Sequence, residues 1–251
     1  MIKKNPKITI ITVVKNNERD IEKNIKSLIN QSYQNYEHII VDGSSTDKTM
    51  EVVNKYKSKI YKIISEQDGG LYDAMNKGIK NSSGDIIGIL NSDDYFNHDA
   101  LEIVKTYFEH DPTIDFLFGS VIKHKHLYGF HPWKIHWTFG FYTAHSVGFF
   151  IKRESQLKVG YYNLKYKYSS DYDLFYRMIV KLKMKGKCTK KNEILGYFDT
   201  KGFSSRVKYI DYLNENTLIR LDNGQNKYIV KIIHLLRYIK RIKMILNQRK
   251  N

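Results

Sequence analysis

Over the first hundred residues, short β-branched runs alternate with stretches of helical periodicity. Residues 8–14 are apolar at almost every position, as in a strand buried on both faces. Similar runs at 37–41, 60–65 and 85–90 predict three further strands. Between them, apolar residues recur at helical spacing: Ile21, Ile25, Leu28 and Ile29, then Met50, Val53 and Tyr56, then Leu71, Met75 and Ile79. Strands alternating with helices predict a mostly parallel sheet with crossover helices, an α/β fold.

Such a half is Rossmann-like, and its ligand sits outside the carboxyl ends of the strands. Polar and acidic groups gather at those ends: Lys15-Asn16-Asn17-Glu18, Asp42-Gly43-Ser44-Ser45-Thr46-Asp47, Glu66-Gln67-Asp68-Gly69-Gly70 and Asn91-Ser92-Asp93-Asp94. Any one loop reads equally well as caps and turns. Four together point to a polar ligand.

Length and composition leave this picture intact and add a charge asymmetry. The chain has 251 residues, 41% of them hydrophobic, enough for a sizeable core, and no Gly-, Ser- or Pro-rich linker divides it. Residues 1–110 hold 15 Lys/Arg against 16 Asp/Glu, whereas residues 111–251 hold 27 against 10. An anionic partner should therefore meet the second part. The single cysteine, Cys188, and the lack of an opening signal peptide predict a reducing, cytoplasmic setting. No run approaches the ~20 apolar residues of a membrane span.

A carboxylate pair such as Asp93-Asp94 after a buried strand suits a hard cation bridging a diphosphate, which makes Mn²⁺ or Mg²⁺ the expected cofactor. Such ions take one or two protein carboxylates and complete their octahedra with phosphate and water. The motifs Thr12-Val13-Val14-Lys15-Asn16, Asp42 to Asp47, Asp73-Ala74-Met75-Asn76-Lys77-Gly78 and Asn91-Ser92-Asp93-Asp94, in this order, resemble those of family 2 glycosyltransferases of the GT-A fold. Ser170-Asp171-Tyr172-Asp173-Leu174 and Gly202-Phe203-Ser204-Ser205 look like that family's catalytic-base and acceptor-side motifs. The resemblance covers roughly residues 7–206. Within the family the chain looks most similar to exopolysaccharide and colanic-acid-type transferases.

The resemblance implies roles for individual residues. Asp93 is the metal ligand, and Asn91 stands at the first position of the Asp-x-Asp motif, where it can bond ribose but adds no charge. Ser92 and Asn16 join the donor contacts. Asp42 contacts the nucleoside, Val13 lines the base pocket, and Asp68 is a possible substitute for the acid that Gly43 replaces. Asn76 reads equally as a nucleotide contact and as a helix-surface amide. His145 falls where relatives carry a histidine near the donor sugar. Asp171 is the general base, at the start of a helix with the apolar stripe Leu174, Met178 and Leu182 and with Ser169 or Ser170 as cap. Asp173 fits a purely structural acid better.

His124, His126, His131, His136 and His145 lack the ligand spacing of a zinc site. Interleaved with Tyr128, Phe130, Trp133, Trp137, Phe139 and Phe141, they are expected to form core and a sugar-stacking surface. From residue 226 onward eight Lys/Arg and no acid interleave with Ile229, Ile232, Ile233, Leu236, Ile239 and Ile242, the pattern of a basic amphipathic helix that docks on an anionic membrane surface. A helix packed on the domain with a solvated basic face is the alternative.

The expected organisation is a GT-A catalytic domain over 1–222, with a nucleotide-sugar half at 1–110 and an acceptor half at 111–222, followed by the basic helix at 223–251. The expected activity is inverting transfer from a nucleotide diphosphate sugar, with a UDP-sugar as the expected donor, to a saccharide or lipid-linked saccharide. The setting is cell-surface polysaccharide synthesis at the inner face of the membrane. A basic nucleic-acid-binding protein is the rival from another class, but no nucleic-acid motif occurs and the acidic strand ends would repel phosphate, so nucleic acid is not an expected partner. A nucleotidyltransferase should show a Gly-rich, basic loop after the first strand, and Lys15 to Glu18 is not one.

Overall fold

A computed structural model describes residues 4–137, 140–200, 202 and 207–249. The expected Phe139 contact and the Phe203, Ser204 and Ser205 positions lie outside the described residues. In chain order the first half holds β1 (Ile8–Val14), α1 (Ile21–Ile29), β2 (Tyr36–Asp42), α2 (Thr49–Lys55), β3 (Lys62–Ser65), α3 (Leu71–Lys80), β4 (Ile86–Ile89), β5 (Tyr95–Phe96) and α4 (Ala100–His110). The second half adds β6 (Phe116–Phe118), β7 (Ser120–Ile122), β8 (His126–Leu127), β9 (Phe149–Lys152), α5 (Arg153–Val159), α6 (Ser170–Tyr176), β10 (Gly186–Cys188), β11 (Ile194–Tyr197) and α7 (Tyr209–Asp222). The helices α8 (Lys227–Lys240) and α9 (Ile242–Arg249) follow.

Among the described residues the main sheet runs in the order β10-β6-β9-β4-β1-β2-β3. Every pairing in it is parallel except those of β9, which lies antiparallel between β4 and β6. All seven residues of β1 are buried, because helices cover both faces of the sheet, and its two threonines are paired, Thr9 with Glu37 at 2.6 Å and Thr12 with His38 at 2.9 Å. Ile8, Ile10 and Leu28 belong to one apolar cluster, whereas Ile11, Met75 and Ile79 belong to another, so successive β1 residues feed opposite layers. Each such side chain contributes roughly 1.5–3 kcal/mol of burial. Gly78 lets α3 approach β1, since a Cβ there would collide with Ile11.

The order β3-β2-β1-β4 reverses direction between β1 and β4, and this is where a parallel sheet opens a crevice at its carboxyl ends. The smaller sheet β5-β11-β7-β8 stands beside that end. β5 follows Asp94 directly, and β11 leads into Asp199.

The segment at 226–251, read as one helix, breaks into two at Arg241. Asn226 caps α8 through its side chain, which accepts from the amides of Tyr228 and Ile229. α9 turns back, buries Ile245 and presents Gln248 to the Tyr209 amide at 2.9 Å. No helix of the described residues is long and apolar enough to cross a membrane.

Candidate active site at the strand ends

The loops after β1 and β2 are laced together. Asn16 adopts a left-handed φ of 50°, a conformation asparagine tolerates. Its Oδ1 accepts from the Thr46 amide at 2.8 Å, while its own amide donates to Ser45 Oγ at 2.8 Å. Asp42 is fully buried at the end of β2, accepting from the Ser45 amide and from Ser65 Oγ at 2.7 Å. Val13 is buried one residue before the end of β1. Asp68 Oδ1 accepts from the Gly70 amide at 2.9 Å, and its other oxygen stands where a side chain on residue 43 would be. The amide of Asn76 is engaged elsewhere. It bonds the Tyr162 main chain at both ends, 2.9 Å to N and 2.9 Å to O, and ties α3 to the second half.

The Asn91–Asp94 turn follows β4 and is braced from α1. Asn24, buried in the otherwise apolar inner face of that helix, donates to the carbonyls of Asn91 and Asp94 at 2.8 and 2.9 Å. Ser146 Oγ accepts from the Asn91 amide, and Asn17 donates to Ser92 Oγ at 3.0 Å. Burial, then the charges of Asp199 and Asp20, hold the Asp93 carboxyl above its ordinary value. Burial and the neighbouring Asp93 push Asp94 well above its own. Asp94 Oδ1 accepts from the Asp199 amide at 2.7 Å, whereas Asp94 Oδ2 and Asn91 Oδ1 are buried with no hydrogen-bond partner among the described residues.

Asp93 and Asp94 line a cavity of about 340 Å³ with Asp20, Lys23, Lys123 and Asp199. Among the described residues no three His, Cys, Asp or Glu side chains converge tightly enough to hold a metal ion by themselves. Two orphaned oxygens beside a carboxyl that resists ionisation nevertheless fit a cation whose remaining ligands come from phosphate and water.

Asp171 lies in the first turn of α6. Its Oδ1 accepts from the phenol of Tyr72 at 3.1 Å and from the Tyr172 amide at 2.9 Å, and its Oδ2 accepts from the phenol of Tyr142 at 3.1 Å. Tyr72 comes from α3, so this contact joins the first half of the chain to the second. The expected serine cap is present by position only, because the Ser169 hydroxyl is buried without a partner among the described residues. Glu215 of α7 instead braces the segment that leads into the helix: its carboxylate accepts from the amides of Lys167, Tyr168 and Ser169 at 2.7, 2.7 and 2.6 Å. Asp173 pairs with Arg177 at 2.9 Å and accepts from Asn223 at 2.8 Å, binding α6 to the end of α7. His145 contacts the Tyr162 hydroxyl at 2.6 Å and stacks on Phe149; burial lowers its pKa, so the ring is neutral at pH 7.

The sequence motifs point to the strand-end acids and to Asp171, and not to Asn24, Ser146, Asp199, Tyr72, Tyr142 or Glu215. Asn24 carried a usable signal, as an amide at a helical position flanked by Ile21, Ile25 and Leu28.

The sequence profile described as Glycosyl transferase family 2 matches residues 9–168. Chondroitin synthase of Pasteurella multocida strain Pm70 is 28% identical over 233 residues, 88% of this chain and 23% of that protein. The chain spans less than half the length of the first curated relatives it matches. Among solved structures, S. aureus TarS 1–349 in complex with UDP-GlcNAc superposes with a TM-score of 0.70 at 18% identity, covering 93% of this chain and 73% of that one. The mannosyltransferase PcManGT from Pyrobaculum calidifontis, in complex with GDP-Man and Mn²⁺, gives 0.66 at 18%, covering 93% and 69%. The fold is therefore GT-A. With the profile extending over more than half of its residues, the chain belongs to glycosyl transferase family 2.

Proposed function

We propose that the protein is an inverting glycosyltransferase that moves a sugar from a nucleotide diphosphate, a UDP-sugar for preference, to a saccharide hydroxyl during cell-surface polysaccharide assembly of the exopolysaccharide type. The observation that carries this reading is the placement of Asp42, Asp68 and Asp93 at or just after the ends of β2, β3 and β4, with Asp171 tied to the same half through Tyr72. The names of similar proteins support it: a chondroitin synthase, a UDP-GlcNAc complex and a GDP-Man complex.

In this reading Val13, Asn16, Asp42 and Asp68 take the nucleoside, with Asp68 filling the place left by Gly43. Asn91, Ser92 and Asp93 face the ribose and diphosphate, Asp93 as metal ligand. Mn²⁺ or Mg²⁺ bound there would neutralise charge on the departing diphosphate. Asn76 acts on donor binding indirectly, by fixing Tyr162, whose hydroxyl contacts His145. His145, neutral, offers a polar edge near the donor sugar. Asp171 draws the proton from the acceptor hydroxyl as that oxygen attacks the anomeric carbon from the face opposite the leaving group.

The acceptor is lipid-linked in this account, and the protein works on the inner face of a membrane. α8 supports this. Its inner side packs on α7 through Val230, Ile233 and a 2.9 Å contact of His234 with Thr217. The opposite side, half a turn away, carries Tyr228, Ile232, Leu235 and Ile239, all more than half exposed. A terminal helix serving only to cover the core would leave polar residues there. Lys227, Lys231 and Lys240 flank this apolar face, as suits anionic headgroups.

The reading is tested by incubating the protein with Mn²⁺ and a panel of nucleotide sugars, recording hydrolysis and protection against heat. Hydrolysis of one donor class supports it; no turnover and no stabilisation by any nucleotide sugar would refute it.

A further inference from the structure

We infer that Tyr72 and Tyr142 are positioning residues that hold the Asp171 carboxylate by one oxygen each, and that Oδ2 is the oxygen that receives the acceptor proton. This rests on the reading of Asp171 as general base. A carboxylate oxygen offers two acceptor sites. Oδ1 has both filled, by the Tyr72 phenol at 3.1 Å and the Tyr172 amide at 2.9 Å. Oδ2 takes the Tyr142 phenol at 3.1 Å and, among the described residues, no second donor, which leaves one site for the acceptor hydroxyl. The Tyr72 hydroxyl also lies 3.2 Å from the Tyr168 carbonyl, and the carboxylate is the stronger acceptor for its single proton.

Both phenols are themselves immobilised. The Tyr72 ring is buried against Tyr162, with centroids 5.4 Å apart, and the Tyr142 ring packs between Phe118 and Phe175 at 5.2 and 4.8 Å. Burial, then the charge of Asp171, raises both phenol pKa values well above the ordinary range, so the two groups remain donors. The terminal torsion of an aspartate is broad and two-fold, so a carboxylate held on one side alone would rock. Donors on separate elements, α3 and the segment before β9, fix its plane.

The step balances simply. The acceptor oxygen forms the new glycosidic bond, the bond from the anomeric carbon to the phosphate oxygen breaks, its electron pair leaves with the diphosphate, and the hydroxyl proton passes to Asp171 Oδ2.

The experiment is single-turnover transfer at saturating donor for Tyr142→Phe and Tyr72→Phe, each in the wild-type and the Asp171→Asn backgrounds, with donor affinity measured alongside. Tyr142→Phe is expected to slow transfer ~10 to 100-fold and Tyr72→Phe ~3 to 10-fold at unchanged donor affinity, and neither should slow the Asp171→Asn protein further. Equal losses in both backgrounds would mean that the phenols only support the fold, which overturns the inference. Normal transfer by both phenylalanine variants beside an inactive Asp171→Asn overturns the positioning role and leaves the base intact; an active Asp171→Asn removes both. A larger loss with Tyr72→Phe than with Tyr142→Phe contradicts the assignment of Oδ2. If Tyr142→Phe does not fold, Tyr72→Phe in the two backgrounds still decides between positioning and support.

Discussion

Asp68 Oδ2 occupies the space that a side chain on Gly43 would need, so the loops after β2 and β3 share one position for a carboxylate. Asp68→Asn is expected to weaken UDP binding ~10 to 100-fold, the usual range for a hydrogen bond to a charged group. Gly43→Asp should also weaken it, by forcing two carboxylates together, and Gly43→Asp combined with Asp68→Gly should recover most of the loss. Calorimetric titration of UDP checks all three. Full affinity in Asp68→Asn would remove Asp68 from the donor site.

Asp93 stands among Asp20, Asp94 and Asp199, where a bound cation would relieve the crowding. UDP and GDP should therefore bind more tightly with Mn²⁺ than with EDTA, and Asp93→Ala should erase the difference. Asn91→Asp should preserve or strengthen the metal-dependent binding. Equal affinities in Mn²⁺ and EDTA would show the metal assignment to be wrong.

The apolar side of α8 gives a surface prediction. Replacing Ile232, Leu235 and Ile239 together by Ser should release the protein from anionic vesicles while donor hydrolysis persists, because these side chains are exposed and lie apart from the strand ends. Sedimentation with vesicles of phosphatidylglycerol and phosphatidylcholine measures it. Undiminished co-sedimentation moves the contact elsewhere, with the exposed Trp133 next in line.

His38 makes the fold itself sensitive to acid. It is buried in β2 with its Nε2 2.9 Å from Thr12 Oγ1, and burial lowers its pKa to about 3. The unfolded imidazole titrates near ~6.5, so the unfolded chain binds the extra proton over that interval. The neutral ring's contribution to stability is complete above that value and is lost as pH falls toward about 3. Denaturant midpoints should decline across this window, and His38→Gln should flatten the slope. An equally steep decline in the variant would assign it to other groups.

What the sequence made legible and what it hid divide along a physical line. β1 could be read because a strand buried on both faces needs continuous apolar character, and its ends set where to look for ligands. The β3 start moved from 60 to 62, and Ile60 is buried outside the strand, because its side chain is needed by the cluster around Val53. Tyr72 and Tyr142 were invisible as polar groups: in a pattern of apolar positions a tyrosine counts as core, and its hydroxyl partner depends on contacts 99 and 29 residues away. Glu215 bracing the approach to α6 is equally non-local, 46 to 48 residues from the amides it binds. Ile233 was read into the outward stripe of the C-terminal helix, yet it is buried against the domain. The helix is apolar on two opposite sides, and periodicity alone does not say which one packs.

The central claim is that Asp171 performs proton abstraction while Asp173 holds the fold. The measurement is single-turnover transfer at saturating donor for wild type, Asp171→Asn and Asp173→Asn, with donor affinity and thermal stability recorded beside it. Asp171→Asn should slow transfer ~10² to 10⁴-fold, with donor affinity and melting temperature little changed. Asp173→Asn should lower stability by roughly 1–3 kcal/mol, through the weakened Arg177 and Asn223 contacts, and leave transfer largely intact. Near-normal transfer by Asp171→Asn with loss in Asp173→Asn would put the base two residues along the helix, and activity in both would contradict the account.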